Sequence, residues 1–423
     1  MNKRQVTILW VIAIALGAAV TAVKVSQNQS TRSATKRSQG QTLFDSFPAN
    51  DAASIEIQGA TGSVTLSKKD GKWGVTQRDG YPANNTFVND FIRTLGELKI
   101  TLGMEAGPSF APRFGMDETA TKPADRGLTA TFKDAAGKEI AKVSLGKNID
   151  SNSAPSPMGG SSAVGRYVRN HADDSGFYAV SEMFPSVSDD AKRWLDSGFI
   201  NPEKINAITL SQPGKSEIDW KLTRDDENAE FKLDAAAATE VPDTAVTSPL
   251  KSLFSYASFD DIVPTHQVSE RIDTEAKRTA TIETIEGFTY TIQISPTKPA
   301  TDNFLLTVEV AAEIPKERKK SEGEKPEDAK TKDTAFSERQ KILTEKLTKE
   351  KALAGITFQV AKSTVDPLLK DRAALITKAT PPPADGAPTG SVQELPGGVI
   401  ARPPTSATTP PISVPPADSS KKK

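Results

Sequence analysis

Beyond position 43, apolar and polar residues alternate in short bursts. Ile55 and Ile57, Val64 and Leu66, and Trp73 and Val75 each flank one other residue. Period-two spacing predicts strands with one buried face. Turn residues between Gly59 and Gly62 and at Asp70-Gly71 separate them, so a three-stranded antiparallel meander is expected; glycine tolerates the positive φ a tight hairpin requires. After Tyr81-Pro82 the period changes. Phe87, Val88, Phe91, Ile92, Leu95 and Leu98 fall on one helical face, with Asn84, Asn85 or Thr86 available as cap. Leu128–Phe132 and Ala141–Leu145 predict a second hairpin around Asp134–Gly137. Tyr167-Val168 and Phe177–Val180 predict two more strands, and Ala191–Leu195 a helix.

The same order then recurs. Ile208 and Leu210, Trp220 and Leu222, and Phe231 and Leu233 repeat the meander, and Val246, Leu250, Leu253, Phe254 and Ala257 supply a helix face. Thr279–Ile285 and Phe288–Ile294 predict a hairpin turning at Glu286-Gly287. Phe304–Val310 and Ile356–Val360 complete the sheet, and Val365–Leu375 predicts a closing helix. Phe177–Val180 and Ala191–Leu195 have partners in Thr357–Val360 and Asp371–Leu375 at one constant offset of 180 positions. Equivalent segments must build equivalent folds. The fold class expected is therefore α+β: two tandem copies of an antiparallel-sheet plus helix module, residues 43–200 and 201–379.

Three segments stand outside that pattern. Val6 to Val23 is an almost unbroken apolar run of 18 residues, which as a helix reaches ~27 Å, close to the hydrocarbon thickness of a bilayer. It predicts one N-terminal transmembrane helix within residues 1–25, followed by a polar tether at 26–42. Lys3 and Arg4 precede it, which favours a cytoplasmic N-terminus. Val20-Thr21-Ala22 also fits a signal-peptide cleavage site, and Lys24, Arg32, Lys36 and Arg37 weaken the charge bias, so a cleaved segment and an inverted orientation are the alternatives. The second copy carries a charged helical insert at 313–353, whose Phe336, Leu343, Leu347 and Leu353 form a narrow apolar stripe. A solvated helix packed along one edge is expected there, with a partner-binding helix as the alternative. From Thr380 to Lys423 the chain is rich in Pro, Ala, Ser and Thr, a composition that predicts an extended, disordered tail.

Composition narrows the chemistry. The 423 residues contain no cysteine, which excludes thiolate catalysis, disulfides and Cys-based zinc sites. A net charge of -1, from 53 basic and 54 acidic residues, gives no electrostatic footprint for nucleic acid. No GxxxxGK[ST] loop occurs, since Gly146-Lys147-Asn148 lacks both loop and hydroxyl. No GxSxG elbow occurs either; Gly159-Gly160-Ser161-Ser162 lies in a Pro/Ser loop with no strand leading into it. His171, in Arg169-Asn170-His171-Ala172-Asp173-Asp174, has two acidic neighbours that suit a metal or a proton shuttle, but an exposed turn is the simpler reading, as for His266. Asp189-Asp190, Asp225-Asp226 and Asp260-Asp261 read as capping or solvated carboxylates. Trp73, Trp194 and Trp220 sit on inward beats and read as core rather than as sugar-stacking platforms. No catalytic, cofactor-binding or metal-binding residue is assigned, no cofactor is expected, and the chain is not expected to be an enzyme.

Several stretches together carry a family resemblance: the strand pair Val64–Val75 with its Lys-Asp-Gly-Lys-Trp hairpin, Tyr81–Asn84, the Phe87–Leu98 helix, Leu145–Lys147, Arg166–Arg169 and Phe177–Val180. Over about Leu43 to Thr377 this resembles the bacterial domain-of-unknown-function family numbered 4340. The resemblance implies a non-catalytic envelope protein, an accessory or scaffold subunit beside a gliding-motility-type ABC transporter, with its domains in the periplasm and its N-terminal helix in the bacterial inner membrane. The partners expected are envelope or ABC transporter membrane proteins. The alternative is a periplasmic polysaccharide or peptidoglycan binding module using the Ile149–Gly165 loop.

Overall fold

The alternation from Ile55 to Val75 forms strands β1 (Ser54–Gln58), β2 (Ser63–Lys69) and β3 (Lys72–Val75) in a computed structural model that describes residue 20 and residues 35–150, 163–318 and 325–378. Asp70 and Gly71 both take positive φ, 52° and 77°, as a two-residue hairpin turn requires. The chain continues through β4 (Tyr81–Pro82), α1 (Asn85–Glu97), β5 (Ile100–Glu105), α2 (Pro123–Arg126), β6 (Leu128–Lys133), β7 (Glu139–Asp150), β8 (Ala163–Asn170) and β9 (Gly176–Val180). These strands form one nine-stranded sheet in the order β4-β3-β2-β1-β6-β7-β8-β9-β5. Its pairings are antiparallel, and a buried rung crosses it as Val75, Leu66, Ile55, Phe132 and Ala141. Helix α1 lays Val88, Phe91 and Leu95 on the core, with Phe91 5.7 Å from Phe132 between ring centres. Asn84 caps it by accepting from the Phe87 N–H at 3.2 Å.

The second sheet is built from β10 (Ile205–Ser211), β11 (Ile218–Thr223), β12 (Lys232–Leu233), β14 (Asp261–Val263), β15 (Arg278–Thr284), β16 (Phe288–Pro296), β17 (Asn303–Ala312) and β18 (Thr357–Ala361). Its order is β12-β11-β10-β15-β16-β17-β18-β14, which matches the first sheet strand for strand once β4 is set aside. Its rung runs Leu233, Leu222, Ile208, Ile282, Tyr290, Val310. Strand β13 (Glu240–Pro242) pairs instead with β19 (Ile376–Lys378). The fold is thus a mixed α/β architecture of antiparallel sheets with several helices. All described residues belong to one unit that ends at Lys378.

Three predicted helices are shorter than expected. The Val246–Ala257 stretch gives only α3 (Thr244–Thr247) and a 3-10 turn at Ser248–Ser252. Pro249 removes a donor there, and Phe254 turns left-handed at φ 65°. Ala191–Trp194 is a single 3-10 turn. The closing helix breaks at Pro367 into α6 (Lys362–Val365) and 3-10 turns at Asp366–Leu368 and Arg372–Leu375. Between them in the chain lie two longer helices, α4 (Thr265–Arg271) and α5 (Pro326–Lys351). Helix α5 is the charged insert; Leu343 is buried, and Leu347 and Leu353 pack on the core. Packed chain also extends N-terminal of Leu43: Gly40 donates to the Ile100 carbonyl at 2.8 Å, and Arg37 is buried.

The apolar run Val6–Val23, save Val20, lies outside the described residues, as do the tail beyond Lys378, most of the Ile149–Gly165 loop and the middle of the Lys/Glu-rich insert. No helix among the described residues is long and apolar enough to cross a membrane.

Candidate functional site: the junction between the two sheets

The turn joining β3 to β4 reaches the edge of the second sheet. Asp79 and Gly80 take positive φ, 54° and 76°, which reverses the chain tightly and points Arg78 and Asp79 outward. The Arg78 guanidinium donates from Nε and Nη2 to the two oxygens of Asp261 in β14, at 2.7 and 2.8 Å. This fork-on-fork geometry is the strong form of the pair, and it holds the Arg78 pKa above its ordinary value. Asp79 accepts from the Thr265 N–H and hydroxyl at 2.7 and 2.8 Å, and these bonds hold its carboxyl below the usual range.

Beside these polar contacts five rings close the junction. Tyr81 meets Phe259 and Phe358 edge-on, at 5.8 and 6.3 Å. Phe199 meets Phe358 at 5.0 Å, Phe259 at 5.7 Å and Phe254 at 6.4 Å. The Tyr81 hydroxyl, raised in pKa by burial and by Asp196, donates to the Gly198 carbonyl at 3.2 Å. Edge-on aromatic pairs of this kind contribute beyond their buried area.

Two cavities adjoin the junction. One, of about 570 Å³, is lined by Pro82, Phe199, Ile342, Leu353 and Ile356, with Asp196, Glu203, Glu345 and Lys349 among its charged lining residues. The other, of about 560 Å³, lies against Arg78, Asp79, Ile262, Thr265 and Val268. Tyr81, Pro82 and Ile356 line both, so they form adjoining parts of one groove. Ile342 on α5 is 53% exposed over it.

Helix α5 forms one wall and is pinned by buried polar groups. Glu350 accepts from the Tyr290 hydroxyl at 2.7 Å, from Lys346 at 2.8 Å and from the Asn201 N–H at 2.9 Å; Lys346 also bonds the Asn201 carbonyl. Arg339 bridges Glu203 and Glu286, and Lys204 meets Glu286 at 3.1 Å. Burial pushes the Glu286 carboxyl up, but Arg339 and Lys204 outweigh it and hold it below the usual range. Glu203, Lys346 and Glu350 of the groove lining are thus spent on ion pairs, and the groove offers apolar surface between charged side chains.

A family model described as a domain of unknown function, DUF4340, matches residues 73–278. Over that span the chain belongs to the DUF4340 family. No curated protein and no solved structure matches it. The DUF4340 match opens in β3 and closes at the first residue of β15, a shorter reach than the Leu43–Thr377 resemblance. It includes Arg78, Tyr81, Phe199, Phe259 and Asp261 and leaves α5 and β18 outside.

The residues singled out in the sequence are scattered. Trp73, Trp194 and Trp220 are core residues, as expected. Asp190 caps the Lys192 N–H and Asp226 caps the Asn228 N–H, also as expected. Asp261 departs from that reading, because the two sheets bring it against Arg78, 183 residues away. Asp189 caps backbone N–H groups as expected, but across the sheet: it accepts from the N–H and hydroxyl of Thr61 and the N–H of Gly62, closing the β1–β2 turn. His266 is exposed, as expected, but sits on helix α4 rather than in a turn. His171 is half-buried rather than in an open turn, because residues 108–118 fold over the sheet face that carries it. No group of three or more metal-ligating side chains occurs among the described residues. Sequence reading missed the junction rings, since Tyr81, Phe199 and Phe259 lie where the two sheets abut and follow no period within either.

Proposed function

We propose that this DUF4340 protein is a membrane-anchored, non-catalytic envelope protein, an accessory or scaffold subunit of a gliding-motility-type ABC transport system that works by binding other proteins. The apolar run Val6–Val23 would be the anchor in the bacterial inner membrane, and Lys3 and Arg4 on its short side favour the bulk of the chain in the periplasm. The observation that carries the binding reading is the junction groove: an apolar floor beside exposed Ile342, with Glu203, Lys346 and Glu350 of its lining already engaged in ion pairs. Such a surface suits apolar side chains of a partner segment rather than bond-making chemistry. The test is site-specific photocrosslinking in the native cell, with the reactive group at position 342 and, as control, at exposed Lys69. A membrane-integral transporter subunit captured from 342 and not from 69 supports the reading. A chain recovered alone from both positions defeats it.

The two sheets are, in this reading, tandem copies of one module. Shared strand order supports this, and so does register: Arg166, Tyr167 and Val168 face Val180, Ala179 and Tyr178, as Phe304, Leu305 and Leu306 face Val360, Gln359 and Phe358. Ile57 and Leu210 are then equivalent, each paired across its meander with Val64 or Trp220. Exchanging them, Ile57→Leu with Leu210→Ile, conserves volume and should cost less than about 1.5 kcal/mol by urea denaturation. A loss well above that would count against equivalence.

A further inference from the structure

A third cavity, of about 450 Å³, lies far from the groove in chain terms, on the first sheet. Val143, Leu145, Val168 and Asn170 are buried, and the alternate residues of the same strands, Lys142, Ser144 and Arg169, point to the opposite face. Register places Ser144 directly across from Arg169, and His171 extends the ladder by donating its N–H to the Lys142 carbonyl at 3.0 Å. Four polar side chains therefore stand two by two on one patch. Pro108, Pro112 and Met116 roof it, which leaves a pocket rather than an open face. At its base the Ser144 hydroxyl is hydrogen-bonded to His171 Nε2 at 2.8 Å and to the Thr129 hydroxyl at 3.0 Å.

We propose that this cavity is a binding site for a small oxyanion of the phosphate or carboxylate class, held by Lys142 and Arg169 with Ser144 and His171 at its base. The anions already facing the two cations hold them loosely. Glu118 is 3.6 Å from Lys142 Nζ and Asp174 is 3.6 Å from Arg169, beyond ordinary hydrogen-bond reach. Both carboxylates are mostly in water, at 61% and 84% exposure, so each can swing aside. Asp117, the remaining acid in the lining, is turned to the N–H and hydroxyl of Thr119 at 2.9 and 2.6 Å. The imidazole senses the resulting field. Burial, then Lys142 and Arg169, push its pKa down to about 4, and Glu118 and Asp174 offset this only in part. Lys142 and Arg169 thus bring two cations to the cavity, and the imidazole and hydroxyl, joined to each other by one hydrogen bond, leave one further donor, the Ser144 O–H or the His171 N–H, for a bound oxyanion. The same field disfavours an imidazolium, which argues against Ser144 and His171 acting as a nucleophile and base. This inference does not rest on the groove or on a transporter partner.

With only His171 and His266 in the chain, the imidazole protons are a two-signal reporter. The full chain is titrated by proton NMR in chloride, phosphate and trifluoroacetate, a carboxylate that stays ionised throughout, at matched ionic strength, with His266→Gln giving the assignment. A seated oxyanion stabilises the imidazolium, so the His171 midpoint should move up from about 4 by about one pH unit or more in phosphate, trifluoroacetate or both, while His266 stays put. Whichever anion acts names the class. Lys142→Met should abolish the anion-dependent part. Glu118→Gln should lower the concentration of anion needed, although in chloride it moves the midpoint further down. A His171 midpoint that is the same in all three salts, or that moves only in step with His266, overturns the proposal, as does an unchanged anion response in both variants.

Discussion

Helix α5 is rich in charge and poor in apolar residues, so its hold on the body should depend on Glu350 more than on its leucines. In Glu350→Ala, Tyr290, fully buried, loses its acceptor, and the Lys346 ammonium, only 14% exposed, loses its carboxylate while keeping the Asn201 carbonyl. An unmade hydrogen bond at a buried hydroxyl costs about 1–3 kcal/mol. A buried ion pair broken on one side costs about 3–5 kcal/mol, and the two are not additive because Glu350 serves both. The expected loss is about 3–5 kcal/mol, read as a shift in the urea unfolding curve followed by tryptophan fluorescence. Glu350→Gln keeps an acceptor for Tyr290 and should cost less. Glu350→Leu combined with Lys346→Met removes both charges and should recover part of the loss, because a matched apolar pair replaces the ion pair at little cost. Hydrogen exchange should report the same order, with the amides of the last turns of α5 opening first. A loss below about 1 kcal/mol for Glu350→Ala would refute the reasoning, since it would mean that neither partner is desolvated as the structure places it.

At the junction, Asp261→Asn removes the charge opposite Arg78 where both side chains are about a fifth exposed, so about 1–2 kcal/mol should be lost, with exchange in β14 and α4 about tenfold faster; unchanged exchange there would count against the pair as a clamp. Gly74→Ala would place a Cβ 2.6 Å from the Gly80 carbonyl, and the forced backbone shift should cost about 1–3 kcal/mol in a thermal or urea melt; an unchanged melt would mean that the β3–β4 turn is not packed as described. His171 carries a pH signature. Its folded pKa is about 4 against an ordinary 6.5, so between those values the unfolded chain takes up a proton that the folded chain refuses. Stability from this residue is full above pH 6.5, falls as pH drops toward 4 and is flat below that, and His171→Asn should flatten the slope in a urea series over that window. An unchanged slope would place the imidazole in water.

The meanders were legible because their signal is local. Ile55, Ile57, Val64 and Leu66 alternate because each strand has one wet and one dry face, and the observed rungs follow that alternation. Helix α1 was legible for the same reason at another period. Strand β5 was not: of its six residues only Ile100 is buried, so it shows no alternation and is a strand because β9 pairs with it. The helices expected after Val246 and Val365 failed at Pro249 and Pro367, where a missing backbone donor outweighed a helical spacing of apolar residues. Of the candidate site, the rings were visible as aromatic residues, but their convergence was not.

The sequence alone determines what is short-range: which residues face inward, where the turns fall, that thiol chemistry is absent, and that one segment is apolar enough to span a bilayer. These follow from transfer energies and backbone sterics read within a few residues. The tertiary structure alone decides what meets across long separations. Arg78 reaches Asp261, Tyr290 reaches Glu350, and Lys142 stands beside Arg169 and His171 only because strand order and register bring them together. A partner's identity in such a pair is a matter of geometry, and no spacing along the chain encodes it.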